Sequence, residues 1–303
     1  MKNILITGAK GFLGNYVSRH FKSLGYQTYG IGHGDLLVSE CEDIGLDYWF
    51  KSDVSIKAIL DIKVSFDVIV HCGGSGSVGF SVEYPYEDFK KTVDGTLEVL
   101  EYIRRYNQDA HFIYPSSPAV QGSCPDKPIL EDYIGQPVSP YGYHKKIAED
   151  LCRSYSEKYN IKISIIRLFS VYGIGLKKQL LWDACNKIVN SEKSVEFWGT
   201  GEETRDFIHV NDVVRLMSSV LTQDEVFLII NGGSGVRTTV KKIVNMIKDF
   251  LDSNCEIYFN DQASEGNPRY YWAGIEKQMK IYTQEMIKLE DGVAQYIQWI
   301  NSL

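Results

Sequence analysis

Short apolar runs alternate with helical patterns through the first half of this chain, and that alternation restricts the fold more than any other feature. NILIT (Asn3–Thr7), YQTYGIG (Tyr26–Gly32), FDVIVHC (Phe66–Cys72), HFIYPSS (His111–Ser117) and KISIIRLFSVYG (Lys162–Gly173) read as strands. Helical patterns lie between them, one from about Phe12 to Leu24 and another in DFKKTVDGTLEVLEYIRRY, Asp88 to Tyr106. Continuously apolar strands separated by helices call for a parallel sheet covered on both faces. The expected class is therefore α/β, a doubly wound parallel sheet. After Val171 the alternation loses regularity, which predicts a smaller lobe on the sheet's edge. The expected division gives residues 1–170, joined by 205–250, to the sheet domain, and 171–204 with 251–303 to the lobe. Val240, Ile243, Val244, Ile247, Phe250 and Leu251 form one apolar helix stripe, a core-packing pattern.

Charge and cysteine usage exclude several classes. A net charge of -7 argues against nucleic-acid binding by bulk electrostatics. The six cysteines (Cys41, Cys72, Cys124, Cys152, Cys185, Cys255) show no metal or redox spacing, so reduced thiols and no metal site are expected. No apolar run approaches bilayer length and the N-terminus is too short an apolar run for a signal peptide, so a cytoplasmic protein without membrane partners is the expectation.

Gly8, Gly11 and Gly14, in ITGAKGFLG with Phe12 and Leu13, follow the first strand and open a helix. Glycines there allow a tight turn and close approach of backbone to phosphate, and the helix start offers free N–H donors. The spacing G-x-x-G-x-x-G thus points to a dinucleotide. NAD-selective sites place an acid at the end of the second strand. Here Gly32 or His33 stands there, with Asp35 slightly beyond. A missing acid and a potential donor in His33 favour NADP(H), with NAD(H) as the alternative. Asp53 in SDV, with Val54 beside it, is placed to meet the adenine edge, or is a solvated strand end.

Tyr141 and Lys145 in SPYGYHK stand at i, i+4 and share a helix face, whereas Tyr143 has Ile147 at that spacing. A nearby ammonium lowers a phenol's pKa and fits it for proton transfer. Upstream, YPSSPAVQG at a strand end supplies a hydroxyl able to share a substrate oxygen with the tyrosine.

Taken in order, TGAKGFLG, SDV, VIVHCGG, SSPAVQG, SPYGYHK, RLFSVYG, GTGEETRDFIHVND and WAGIEKQ resemble the extended short-chain dehydrogenase/reductases of the nucleotide-sugar epimerase/dehydratase family. The resemblance spans residues 7 to about 278. It implies a Rossmann-type domain with a C-terminal lobe for a nucleotide-sugar substrate. Ser117 matches the substrate-binding hydroxyl, with Ser116 its less favoured neighbour. Tyr141 matches the general acid/base, and Lys145 the lysine that lowers its pKa and holds the nicotinamide ribose. His71, Cys72, Gly73 and Gly74 match the backbone beside the cofactor, and Ser75 extends that stretch toward substrate. Arg205, with Arg269 as companion, matches the grip on the diphosphate, for which a planar guanidinium suits; its alternative is an ion pair with Asp206. Asp212 reads as a helix N-cap.

Departures from the family pattern select among reactions. Dehydratases carry an Asp–Glu pair where this chain has Pro118 and Ala119. Bifunctional epimerase-reductases carry a cysteine at the position of Ala119 and a histidine near Gly175. Thr92 and Ser170 replace asparagines on the substrate side. Two reactions survive: a 4-keto-sugar reductase using NADPH, favoured through the cofactor argument, and an NAD-dependent 4-epimerase using the same Ser117, Tyr141 and Lys145. A non-catalytic NADP-binding module is the third reading. Helices over 87–106 and 142–158 resemble the family's dimer-forming pair, which implies a homodimer.

Overall fold

The computed structural model describes residues 1–191, 193–262 and 268–303. Its central sheet has seven strands: β1 (Asn3–Thr7), β2 (Gln27–Gly32), β3 (Tyr48–Lys51), β4 (Val68–His71), β5 (His111–Ser116), β6 (Ile163–Leu168) and β7 (Phe227–Gly232). Their order is β7-β6-β5-β4-β1-β2-β3, every pair parallel. Burial explains the apolar sequence of these strands: β4, β5 and β6 are buried throughout, leaving no polar face to write an alternation.

The winding direction reverses between β1 and β4. In open α/β sheets a crevice opens there beyond the strands' carboxyl ends. The glycine turn after β1 and the His71–Gly74 stretch after β4 both lie at that reversal.

Helices cover the two faces and build separate cores. On one face α1 (Phe12–Ser23) and the helix Val210–Ser219 bury Val17, Phe21, Val213 and Leu216 against β1, β4 and β6. On the other, α2 (Gly95–Tyr106) and α3 (Pro140–Tyr159) bury Val99, Leu100, Ala148 and Cys152. A third core lies in the lobe, shared by α4 (Gln179–Val189), the strand Ser194–Phe197, α5 (Val240–Phe250) and α6 (Leu289–Ile300). Ile243, Val244 and Ile247 of the expected stripe are fully buried there, while Phe250 is exposed. So α5, grouped in sequence with the sheet domain, packs against the lobe.

The expected helix 87–106 is continuous, passing from Pro85–Phe89 through a π-helical turn, Lys90–Asp94, into α2. One further difference arises from local chemistry. Asp212 is not an N-cap: His209 caps that helix. Asp212 instead accepts from the Tyr282 hydroxyl and the Ile287 amide, both at 2.9 Å.

No helix of the described residues is long and apolar enough to cross a membrane. Among the same residues no group of histidine, cysteine and acidic side chains is arranged to hold a metal.

Candidate active site

The reversal point opens into a cleft of about 1020 Å³ lined from both the sheet domain and the lobe. Gly8 has φ +65, and a Cβ on it would lie 2.8 Å from the Cys72 carbonyl oxygen, so only glycine lets the β1 and β4 turns meet. A Cβ on Gly14 would sit 2.3 Å from the Gly8 oxygen. Gly11 caps α1 with no side-chain bond, and the first turn carries no acid. The N–H groups at the start of Phe12, Leu13 and Gly14 therefore face the cleft free of anionic competition, as a pyrophosphate needs.

His71 closes the adjoining wall. Its Nδ1 lies 2.7 Å from Thr7 Oγ1, which also accepts from the Gly73 amide at 2.9 Å. Burial, with the Lys145 charge behind it, pushes the imidazole down to about 3, so His71 is neutral. Cys72, Gly73, Gly74 and Ser75 line the cleft as expected.

The residues expected to carry the chemistry meet at the start of α3. Ser139 caps the helix, its hydroxyl accepting from the Gly142 amide at 3.3 Å, and Pro140 occupies the first turn. The Tyr141 amide donates to Ser81 Oγ at 2.9 Å, which fixes the tyrosine against the helix Val78–Glu83. Burial pushes the Tyr141 phenol up to about 12; the neighbouring Ser117 hydroxyl pulls it down and the Asp88 carboxylate pushes it further up. Ser117 accepts from the Ala119 amide at 3.2 Å and so keeps its own proton to donate. Tyr143 points away, 47% exposed.

Lys145 shares the expected helix face and lines the same cleft. Its Nζ donates to the Pro115 carbonyl at 2.9 Å and lies 4.6 Å above the Tyr114 ring. Burial pulls the ammonium down to about 8 from 10.5, with Cys72, Glu149 and Asp88 opposing. Between those two values the unfolded chain holds the extra proton, so stability rises with pH across that window and the burden is complete below it. Lys145→Met is thus expected to stabilise the cofactor-free protein by about 1–2 kcal/mol at pH 7, net of the lost Pro115 bond, the gain fading as pH rises from about 8 to 10.5. Thermal melts at a series of pH values check this; a less stable variant at pH 7 refutes it.

The remaining site residues sort clearly. Arg205 is largely buried in the cleft, donating to the Thr204 and Pro268 carbonyls at 2.7 and 2.9 Å. It makes no ion pair with Asp206, whose carboxylate accepts from Ser234, Gly235 and Ala273. Arg269 and Ser170 line the same cleft. Ser116 is committed elsewhere: its hydroxyl donates to Glu149 Oε1 at 2.6 Å. Thr92 is buried in the π-helical turn, its Oγ1 3.9 Å from where a Cβ on Gly74 would stand, behind the cleft wall. Val54 approaches Gly73 from beneath. His33 and Asp53 lie outside the cleft lining, their side chains exposed and 3.3 Å apart.

Two residues escaped the sequence reading. Tyr271 lines the cleft with a buried hydroxyl that has no hydrogen-bond partner among the described residues. Trp198, 60% exposed, lays a flat apolar face in the lobe side of the cleft. Neither carries a spacing signal: RYYWAG offers two adjacent tyrosines, and only the fold says which one points inward.

Comparison with known proteins agrees with this geometry. Residues 4–231 match the model of the NAD dependent epimerase/dehydratase family. A putative UDP-glucose 4-epimerase of Methanocaldococcus jannaschii is 26% identical, covering 99% of this chain and 98% of its own. A UDP-glucuronate 4-epimerase of Thermodesulfobacterium geofontis is 25% identical over 97% and 95%. Among solved structures, a UDP-N-acetylglucosamine 4-epimerase from Methanobrevibacter ruminantium superposes with a TM-score of 0.86 at 25% identity, covering 99% and 98%. The UDP-glucuronic acid 4-epimerase of Bacillus cereus, solved with UDP-glucuronic acid and NAD, shares the fold at TM-score 0.88, 24% identity and 99% of each chain. The motifs, the sheet order and the family model converge: the chain belongs to the NAD dependent epimerase/dehydratase family.

Proposed function

We propose that the protein is a UDP-sugar 4-epimerase with NAD as its resident cofactor. The observation that carries the reading is the Ser117–Tyr141 hydroxyl pair, set in one cleft with a glycine-lined helix start and with Arg205. Ser117 and Tyr141 hold the sugar's C4 oxygen between two hydroxyls. Tyr141 takes that oxygen's proton and returns it after the C4 configuration changes. Arg205 and Arg269 hold the diphosphate. Gly8, Gly11, Gly14 and Gly73 hold the nicotinamide dinucleotide, which supplies reversible hydride exchange at C4 when bound. Pro118 and Ala119 offer no group for eliminating water.

The reductase expectation rested on the missing acid at the end of β2, and the packing there gives that absence another cause. A Cβ on Gly32 would lie 3.1 Å from the Trp49 ring, so the glycine accommodates the tryptophan of β3. Asp35 forms an ion pair with Lys51 at 2.9 Å, so that lysine is not free for a 2′-phosphate. Support for epimerisation comes also from the relatives, named as a putative UDP-glucose 4-epimerase and a UDP-glucuronate 4-epimerase, and support for NAD from the description of the matching family. The test is direct: protein purified without additives should interconvert two C4-epimeric UDP-sugars with no cofactor added. Added NAD should raise Tm more than NADP at equal concentration. Strict dependence on added NADPH, with net consumption of it, restores the reductase.

A further inference from the structure

On the lobe side of the cleft one cation has no task in the reaction above. Two adjacent lysines lead into α4, and their ammonium groups part. Lys177 lies over the Trp182 and Trp299 rings at 6.0 and 5.9 Å. Lys178 lines the cleft, and its Nζ stands 3.9 Å from where a Cβ on Gly76 would be. It thus reaches from the lobe to the loop that follows β4. The backbone that aims it is unusual. Lys178 is extended, with φ -163 and ψ 175, and Gln179 after it is a non-glycine residue at φ +68. A left-handed conformation outside glycine is held against a cost, and such strain clusters at ligand sites.

Gly76 sits between two hydroxyls that also line the cleft. Ser75 Oγ accepts from the Ser77 amide at 3.4 Å, and Ser77 Oγ accepts from the Phe80 amide at 3.2 Å. Each therefore keeps its own proton to donate. Lys178, which caps α4 without a side-chain bond, makes no ion pair among the described residues. The two acids that line the cleft are placed elsewhere. Glu203 accepts from the Thr200 amide and hydroxyl and from the Gly201 amide, and Asp261 is tied to the Gly199 carbonyl through its amide at 2.9 Å. An ammonium and two hydroxyls thus flank one position that has no side chain, with no anion to answer them.

That position lies toward the sugar end of the cleft. Ser77 caps the helix Val78–Glu83, and Ser81 of the same helix accepts from the Tyr141 amide at 2.9 Å. The two charges of the diphosphate are matched by Arg205 and Arg269, so a third cation calls for a further negative charge, carried by the sugar. We propose that Lys178, with Ser75 and Ser77, selects a UDP-sugar whose pyranose ring carries a carboxylate. The carboxylate accepts from the ammonium and the hydroxyls, a charge-assisted set that a neutral hexose cannot engage. Lys178 determines specificity and takes no part in proton transfer at C4. The inference rests on the UDP-sugar reading above and deepens it.

Two placements of the charge share this chemistry, a uronate at C6 and a lactyl ether on O3. Calorimetric titration of the intact protein with UDP-glucuronate against UDP-glucose tests the first, and with UDP-N-acetylmuramate against UDP-N-acetylglucosamine the second. The charged member of at least one pair should bind about 10–100-fold tighter. Lys178→Met should bring that ratio to within about threefold of one, and Lys178→Arg, which keeps the charge, should retain most of it. Lys178 is exposed, so melts of both variants should match wild type. The proposal is overturned if neither charged sugar is preferred. It is overturned also if Lys178→Met weakens charged and neutral sugars alike, which would assign the ammonium to the diphosphate. Following C4 epimers in the same preparations judges the reaction separately. Charge preference without epimers overturns only the epimerase reading; epimers without charge preference overturn only this one.

Discussion

Tyr141→Phe is expected to lower kcat by about 10²–10⁴-fold while leaving cofactor binding within a fewfold of wild type. The size follows from what one positioned acid–base group contributes in a proton transfer. The selectivity follows from the structure: the ring stays, the Ser139 cap and the Ser81 contact to the Tyr141 amide stay, and only the hydroxyl beside Ser117 goes. Both directions of a 4-epimerisation begin by removing the proton of the C4 hydroxyl, so the loss should be of similar size in the two. Thermal-shift titration with NAD and steady-state turnover of the same preparation separate the two effects. Turnover within tenfold of wild type would show that another group carries the proton. Tyr143 is the nearest alternative in sequence, but it faces away and has no hydroxyl partner.

Much of this was legible in the chain. Strand-to-helix alternation fixed a parallel sheet because strands buried on both faces leave no polar alternation, and Gly8, Gly11, Gly14, Ser117, Tyr141 and Lys145 converge on one cleft. What sequence could not supply was what each group touches. Gly32 looked like a missing acid until Trp49, from a neighbouring strand, was seen to fill the space above it. Spacing put Lys145 on the face of Tyr141 but could not show its ammonium turned to the Pro115 carbonyl. Asp206 stood beside Arg205 in the chain, yet strand geometry sends adjacent side chains to opposite faces, and the carboxylate went to the Ser234 loop. Ser116 and Ser117 are likewise adjacent and opposed: one binds Glu149 below the sheet end, the other faces the cleft.

The Glu149 contact supports the second large prediction, that Arg167→Met destabilises the protein by about 3–5 kcal/mol, on the order of 10 °C in Tm. Arg167 of β6 binds Glu149 of α3 through Nε and Nη2 at 3.1 and 2.8 Å, and reaches the Glu131 carbonyl through Nη1 at 2.8 Å. Both side chains are nearly buried, so removing the guanidinium strands a carboxylate that water cannot reach. The cost comes from the stranded charge more than from the lost attraction. Arg167→Met with Glu149→Leu should therefore recover most of the loss, leaving the Ser116 hydroxyl unpaired at about 1–2 kcal/mol. A single variant that loses less than 1 kcal/mol would mean water or a side-chain rearrangement rescues Glu149. Glu149 stands one helical turn after Lys145, and Ser116 directly precedes Ser117, so Glu149 ties α3 to β6 through Arg167 and to the end of β5 through the Ser116 hydroxyl. A double variant that regains its Tm but not its kcat would place the value of the pair in holding Ser117 and Tyr141 in register, since packing alone would then have restored everything except that geometry.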